Sequence, residues 1–172
     1  MFTYLKIFIL SLSLLFVSCS SMIHKKNIQL STHNKTYAIS SFWNYTETSM
    51  AGLRAASIVE SVLTKENLNL VSFIDGDEKR ATKQNKIAFL AEQLKKAKAL
   101  NITYLVMGEV QEWRYKTGID GEPVVSYSIK IIEVDTGKVL FNSVGAKSGW
   151  GHKSIGVVAQ EIAAELIPQF IN

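Results

Sequence analysis

Two loops of the sequence carry side chains for which a packed core has no use. Lys116, Asp120 and Glu122 lie among Gly118 and Gly121, and Trp150 stands between Gly149 and Gly151. Carboxylates in a glycine turn can attract a cation without trapping it, since one exposed carboxylate offers an amine roughly 1 kcal/mol or less. The competing reading of Asp120 is an ordinary turn residue that bonds its own backbone. Trp150 has the amphipathic ring favoured at membrane interfaces, and Lys147 and Lys153 flank it to meet lipid headgroups. Its alternative is to pack back on the core.

Other chemistry is hard to assemble from this chain. The three histidines, His24, His33 and His152, show neither metal-ligand spacing nor the context of a triad, and no glycine-rich phosphate loop is present. Asp75, Asp77 and Glu78 come nearest to a cation site, but they lack the alternating ligands and distal Glu of a calcium loop and read as a solvated turn. Neither catalysis nor a cofactor or metal is expected. Cys19 is the single cysteine, so an intrachain disulfide is excluded. It follows Lys6 and the apolar run from Ile7 to Val17, which is too short for a membrane helix of roughly 20 residues. That pattern predicts a lipoprotein signal peptide over residues 1–18 and acylation of Cys19.

The 172 residues less those 18 leave 154, enough for one domain with a sizeable core. Loss of Lys6 takes the formal charge from +4 to +3. Export argues against nucleic acid as the partner of this mild basicity and favours anionic lipid. Residues 19–35 are polar, with little apolar periodicity, and predict a lipidated tether; the domain is expected to cover 36–172.

Within it, Thr36 to Trp43 predicts a strand, and Thr48 or Ser49 can cap a helix carrying Leu53, Ala56, Val59 and Leu63 at helical spacing. A second strand is expected over Leu68 to Ile74. A second helix runs from about Lys86 to Leu100, with Ile87, Leu90, Ala91, Leu94 and Ala97 as its buried stripe and its lysines as a solvated face. Tyr104 to Tyr115 begins apolar and turns polar after Met107, so its far end should protrude. Val125, Tyr127, Ile129 and Ile131 then alternate with polar residues, and Asp135-Thr136-Gly137 reverses the chain into Lys138 to Val144. Ser154 caps a last amphipathic helix through Leu166. The order β-α-β-α-β-β-β-α predicts a single α/β domain, a mixed sheet flanked by helices.

The segments Thr48 to Ala55, Glu112-Trp113-Arg114-Tyr115-Lys116 with Gly118 to Pro123, and Gly145 to Trp150 resemble the PelC family, lipoproteins of the Pel exopolysaccharide export system. The wider pattern is similar to the superfamily of the TolB amino-terminal domain, CsgG and LpoB. The resemblance implies an outer-membrane lipoprotein that forms a periplasmic ring of twelve subunits. Such a ring guides a cationic, partly deacetylated aminosugar polymer to an outer-membrane β-barrel. Asp120 and Glu122 would then face the opening, and Trp150 with Lys147 and Lys153 would contact lipid. Trp113, Arg114 and Tyr115, together with Trp43 and Tyr45, would lie between subunits. Arg114 would either pair an acid across that interface or stack on its own strand. An LpoB-like activator of a peptidoglycan synthase is the alternative, but residues 20–35 are a short tether for it. A CsgG-like channel needs spanning strands of roughly 9 to 11 residues for which these loops have no room.

Overall fold

The structure, a computed structural model, describes residues 21–23, 28–77, 79–80, 83–118, 121–150 and 152–171. The described strands are β1 (Ser21–Ile23), β2 (Thr36–Ser40), β3 (Trp43–Asn44), β4 (Asn69–Phe73), β5 (Lys79–Arg80), β6 (Tyr104–Tyr115), β7 (Pro123–Glu133) and β8 (Val139–Ser148). Helices α1 (Ala51–Lys65), α2 (Lys83–Ala99) and α3 (Ile155–Leu166) follow β3, β5 and β8. All these strands join one mixed sheet in the order β1-β8-β7-β6-β2-β4, with β3 and β5 continuing the β2 and β4 lanes. β2 is parallel to β4 and β6, whereas β6, β7, β8 and β1 run antiparallel. This is the α/β arrangement that the periodicity predicts.

Alternation decides which side is dry. Val125, Tyr127, Ile129 and Ile131 of β7 are fully buried beneath α1 and α3, with Val59 and Leu63 from α1 and Val158, Ile162 and Leu166 from α3. The other face holds a smaller cluster in which Phe89 and Ala97 of α2 meet Trp43, Leu105, Met107 and Ile132. The α2 stripe differs from expectation: Ile87 is 65% exposed and Ala91 is exposed, while Phe89 and Gln93 are buried. Phe89 packs edge-on against Trp43, with centroids 5.4 Å apart, and seating that ring turns the helix.

The start of α1 also departs from the simple reading. Its cap is Met50, in the left-handed region at φ 61°, with no side-chain cap, and the Thr48 hydroxyl donates instead to the Trp113 carbonyl at 2.5 Å. A Cβ on Gly52 would lie 2.2 Å from the Phe42 carbonyl oxygen, so only glycine lets this helix seat against the β2–β3 break. α3 keeps its expected cap, the Ser154 hydroxyl accepting from the Val157 N–H at 3.3 Å.

Part of the expected tether is docked. Ser21–Ile23 pairs with β8, and the N–H groups of Ile28 and Leu30 donate to the carbonyls of Gln169 and Phe170 at 2.9 and 3.0 Å. Leu30 is buried in the main core. Polar composition concealed these few apolar contacts. Residues 1–18 and Cys19 lie outside the described residues.

Candidate functional site

The two singled-out loops leave the sheet at the same end. β6 pairs with β7 as far as Tyr115 opposite Pro123, and β7 pairs with β8 as far as Val124 opposite Ser148. The turn after β6 and the loop after β8 are therefore neighbours. A bulge between Val110 and Glu112 shifts the β6 parity, so that Val110 and Trp113 both enter the main core.

Two of the aromatics expected between subunits are covered by their own chain: Trp113, in the main core, is 2% exposed, and Trp43, against Phe89 on the other face, is 3% exposed. Tyr115 and Tyr45 are half exposed, with the Tyr115 hydroxyl accepting from the Ile155 N–H and the Tyr45 hydroxyl accepting from Lys86. Arg114 pairs with Glu112 of its own strand at 2.6 Å. Both partners are partly exposed, so the pair is worth at most about 1 kcal/mol.

In the turn, Lys116 Nζ lies 2.7 Å from a Glu122 carboxylate oxygen, and the Lys116 N–H donates to the Glu122 carbonyl at 2.8 Å. Glu122 thus has its charge matched locally. Gly121 takes the left-handed conformation at φ 49°, which glycine adopts without strain. Asp120 lies outside the described residues.

Trp150 is 60% exposed and points away from the core. Gly149 is buried: a Cβ there would stand 2.7 Å from Val158 Cγ2 and 3.0 Å from Pro123 Cγ, and its N–H donates to the Pro123 carbonyl. Close packing, not loop freedom, places that glycine. The lysines expected at headgroups lie against α3. Lys147 Nζ is 2.8 Å from Glu161 and 3.0 Å from Glu165, and Lys153 Nζ is 2.5 Å from Glu161. Hydrogen bonds from Lys147 and then Lys153 hold the Glu161 carboxyl below its usual range, and the same acids raise Lys147.

A second ion cluster had no signal in the sequence, because its members are far apart in the chain. Glu109 Oε1 is 2.6 Å from Lys86 Nζ and 3.0 Å from Lys130 Nζ. Burial raises the Glu109 carboxyl, and the hydrogen bonds and charges of both lysines together outweigh it, so it sits below the ordinary value. Asp75 accepts a hydrogen bond from the Ser41 hydroxyl at 3.0 Å and is tied into its turn. Among the described residues, no three His, Cys, Asp or Glu side chains come together in a way that could hold a metal. No described helix is long and apolar enough to cross a membrane.

No protein-family model matches the sequence, and no curated protein matches it. Similar solved structures include two crystal forms of the PelC dodecamer from Paraburkholderia phytofirmans, both 30% identical over 88% of this chain. They cover 97% and 98% of the PelC chain, with TM-scores of 0.70 and 0.71. Lipoprotein GNA1162 from Neisseria meningitidis shares the fold at 9% identity, over 78% of this chain and 96% of its own, with a TM-score of 0.55. With nearly the whole of PelC matched in both sequence and fold, the chain belongs to the PelC family.

Proposed function

We propose that the chain is an outer-membrane lipoprotein, anchored at Cys19, that forms a homo-oligomeric ring on the periplasmic face. The ring guides a cationic aminosugar polymer, the Pel exopolysaccharide, toward an outer-membrane β-barrel export protein. Similarity to the PelC dodecamer along nearly its full length carries this reading and supports a ring of twelve subunits.

Chain geometry supports the membrane side of it. Ser21 pairs opposite Lys147, three residues before Trp150, and β1 runs antiparallel to β8. Cys19 is two residues upstream of Ser21, a reach of at most roughly 7 Å. An acyl group on Cys19 would thus be tethered to β1 on the Trp150 side of the sheet, which supports a shared membrane-facing surface. Lys147 and Lys153 would meet headgroups only in part, since Glu161 and Glu165 already hold them.

The polymer side rests chiefly on Asp120, since Lys116 cancels the charge of Glu122. Repetition of Asp120 around the ring provides an attraction that is weak at each station, so that the polymer can move on. Light scattering of the lipoprotein purified in mild detergent tests the assembly. A mass near twelve subunits is expected, and a monomer at every concentration would contradict the ring.

A further inference from the structure

The Glu109 cluster borders a recess between α2 and the sheet. Strand pairing builds its floor: Trp43 of β3 lies opposite Glu109 of β6, and Met107 of β6 lies opposite Lys130 of β7. Alternation along the strands brings these side chains to the α2 side. Lys86 and Leu90, one turn apart on α2, wall the cavity from above, and its volume is about 50 Å³. A single water needs roughly 10–15 Å³, so the cavity has room for about four groups of that size.

Donors outnumber acceptors around it. Lys86 and Lys130 bond the same Glu109 oxygen, Oε1, at 2.6 and 3.0 Å. One carboxylate thus faces two ammonium groups, and the cluster keeps a net charge of +1. An ammonium carries three donors. Lys86 gives one more to the Tyr45 hydroxyl at 3.0 Å, whereas the hydrogen bond of Lys130 goes to Glu109 alone. Trp43, which also lines the cavity, is buried, and its indole N–H has no partner. Native proteins keep few buried donors unpaired, because each forfeits its hydration. The remaining wall is apolar, from Leu90, Met107 and Ile132. Among the described residues, Glu109 is the one acid that lines the cavity.

We propose that this recess binds a small monocarboxylate of the size of acetate. Its carboxylate takes free N–H groups of Lys130 and the indole N–H of Trp43, and its single charge cancels the +1 of the cluster. Its methyl group packs against Leu90, Met107 and Ile132. Hydrogen bonds between ionised partners are short and strong, and walls of low polarity strengthen them further. A phosphate or sulfate fits worse, since it has no apolar end and more charge than the site offsets. All the contacts come from one chain, so the site does not depend on the ring.

Isothermal titration calorimetry of the lipoprotein in mild detergent tests this, with sodium acetate as the probe and ionic strength held by sodium chloride. Saturation at one site per chain is expected, with a Kd of about 1 mM or tighter, and sodium sulfate should not saturate. Lys130→Met keeps the length of the side chain and removes its charge, which should weaken binding at least about tenfold. Trp43→Phe keeps a ring against Phe89 and removes only the donor, for a loss of about threefold or more. Glu109→Gln removes the competing negative charge and should tighten acetate, the opposite of what general damage to the recess would do. Circular dichroism confirms that each variant is folded. No saturation of the parent up to about 50 mM acetate would overturn the proposal. Sulfate binding as tight as acetate, an unchanged Kd in folded Lys130→Met and Trp43→Phe, or weaker binding by folded Glu109→Gln would do the same.

Discussion

Gly145 lies on the helical face of β8, where an added Cβ would stand 2.4 Å from Ile162 Cγ2 and 3.4 Å from Leu166 Cδ1. Carbon atoms rest about 3.5–4.0 Å apart, so Gly145→Ala must push α3 away by about 1 Å or force Ile162 from its rotamer. A β-branched residue in a helix has little rotamer freedom to give. Overpacking of this kind costs about 1–3 kcal/mol, which lowers the melting temperature by roughly 3–10 °C in a domain of this size. Ile162→Ala removes the opposing methyl and alone should cost about 2–5 kcal/mol through the cavity it leaves. In the double variant the new methyl and the cavity meet, so its loss should fall short of the sum by at least about 1 kcal/mol. Urea unfolding followed by circular dichroism measures all four proteins. Additive losses, or a Gly145→Ala protein as stable as its parent, would refute the claim that close approach of α3 selects this glycine. The consequence reaches function, because α3 holds Glu161 and through it the Lys153 side of the Trp150 loop.

Three further outcomes can be checked. Glu161→Gln should cost about 0.5–1 kcal/mol at pH 7, a modest value because the group and its lysines are partly exposed. The folded Glu161 carboxyl is lowered by Lys147 and Lys153, so its contribution is full above the unfolded value of about 4.3 and is lost as pH falls through the folded one; unfolding measured at pH 7 and at successively lower pH should show the difference between parent and variant shrink in acid. Met50 holds a left-handed backbone, so Met50→Val should be about 1–2 kcal/mol less stable than Met50→Gly by thermal unfolding, and equal stabilities would remove the strain. Trp150→Ala should leave the circular dichroism spectrum and cooperative melting intact while reducing binding of the unacylated domain to anionic vesicles; a large loss of thermal stability instead would return this ring to the core.

The sequence made the architecture legible wherever one periodicity ran long enough. The period-two run of Val125 to Ile131 and the α3 stripe up to Leu166 name buried residues correctly, because each position on those faces meets the same core. The α2 stripe is not legible from periodicity because its register depends on a partner 46 residues away, Trp43, which claims Phe89. The burial of Trp113 in its own core is hidden because the bulge at Gln111 leaves no local mark, yet it changes which side of β6 each later residue faces. Long-range ion pairs are hidden for the same reason. The motif Gly145 to Trp150 carried the family resemblance, but the physical reasons for Gly145 and Gly149 are contacts with α3 that only the fold reveals. Trp150 was legible as an exposed aromatic from its loop position, and the structure leaves its ring outward.

Polymer secretion by cells whose only copy of the chain carries Asp120→Ala with Glu122→Ala tests electrostatic guidance most directly. Expression, lipidation and ring mass measured in the same cells separate guidance from assembly. The expected result is a normal ring with exported aminosugar polymer strongly reduced, most of the loss reproduced by Asp120→Ala alone and little of it by Asp120→Glu. Parental export from the double variant, with the ring intact, would contradict guidance by these carboxylates.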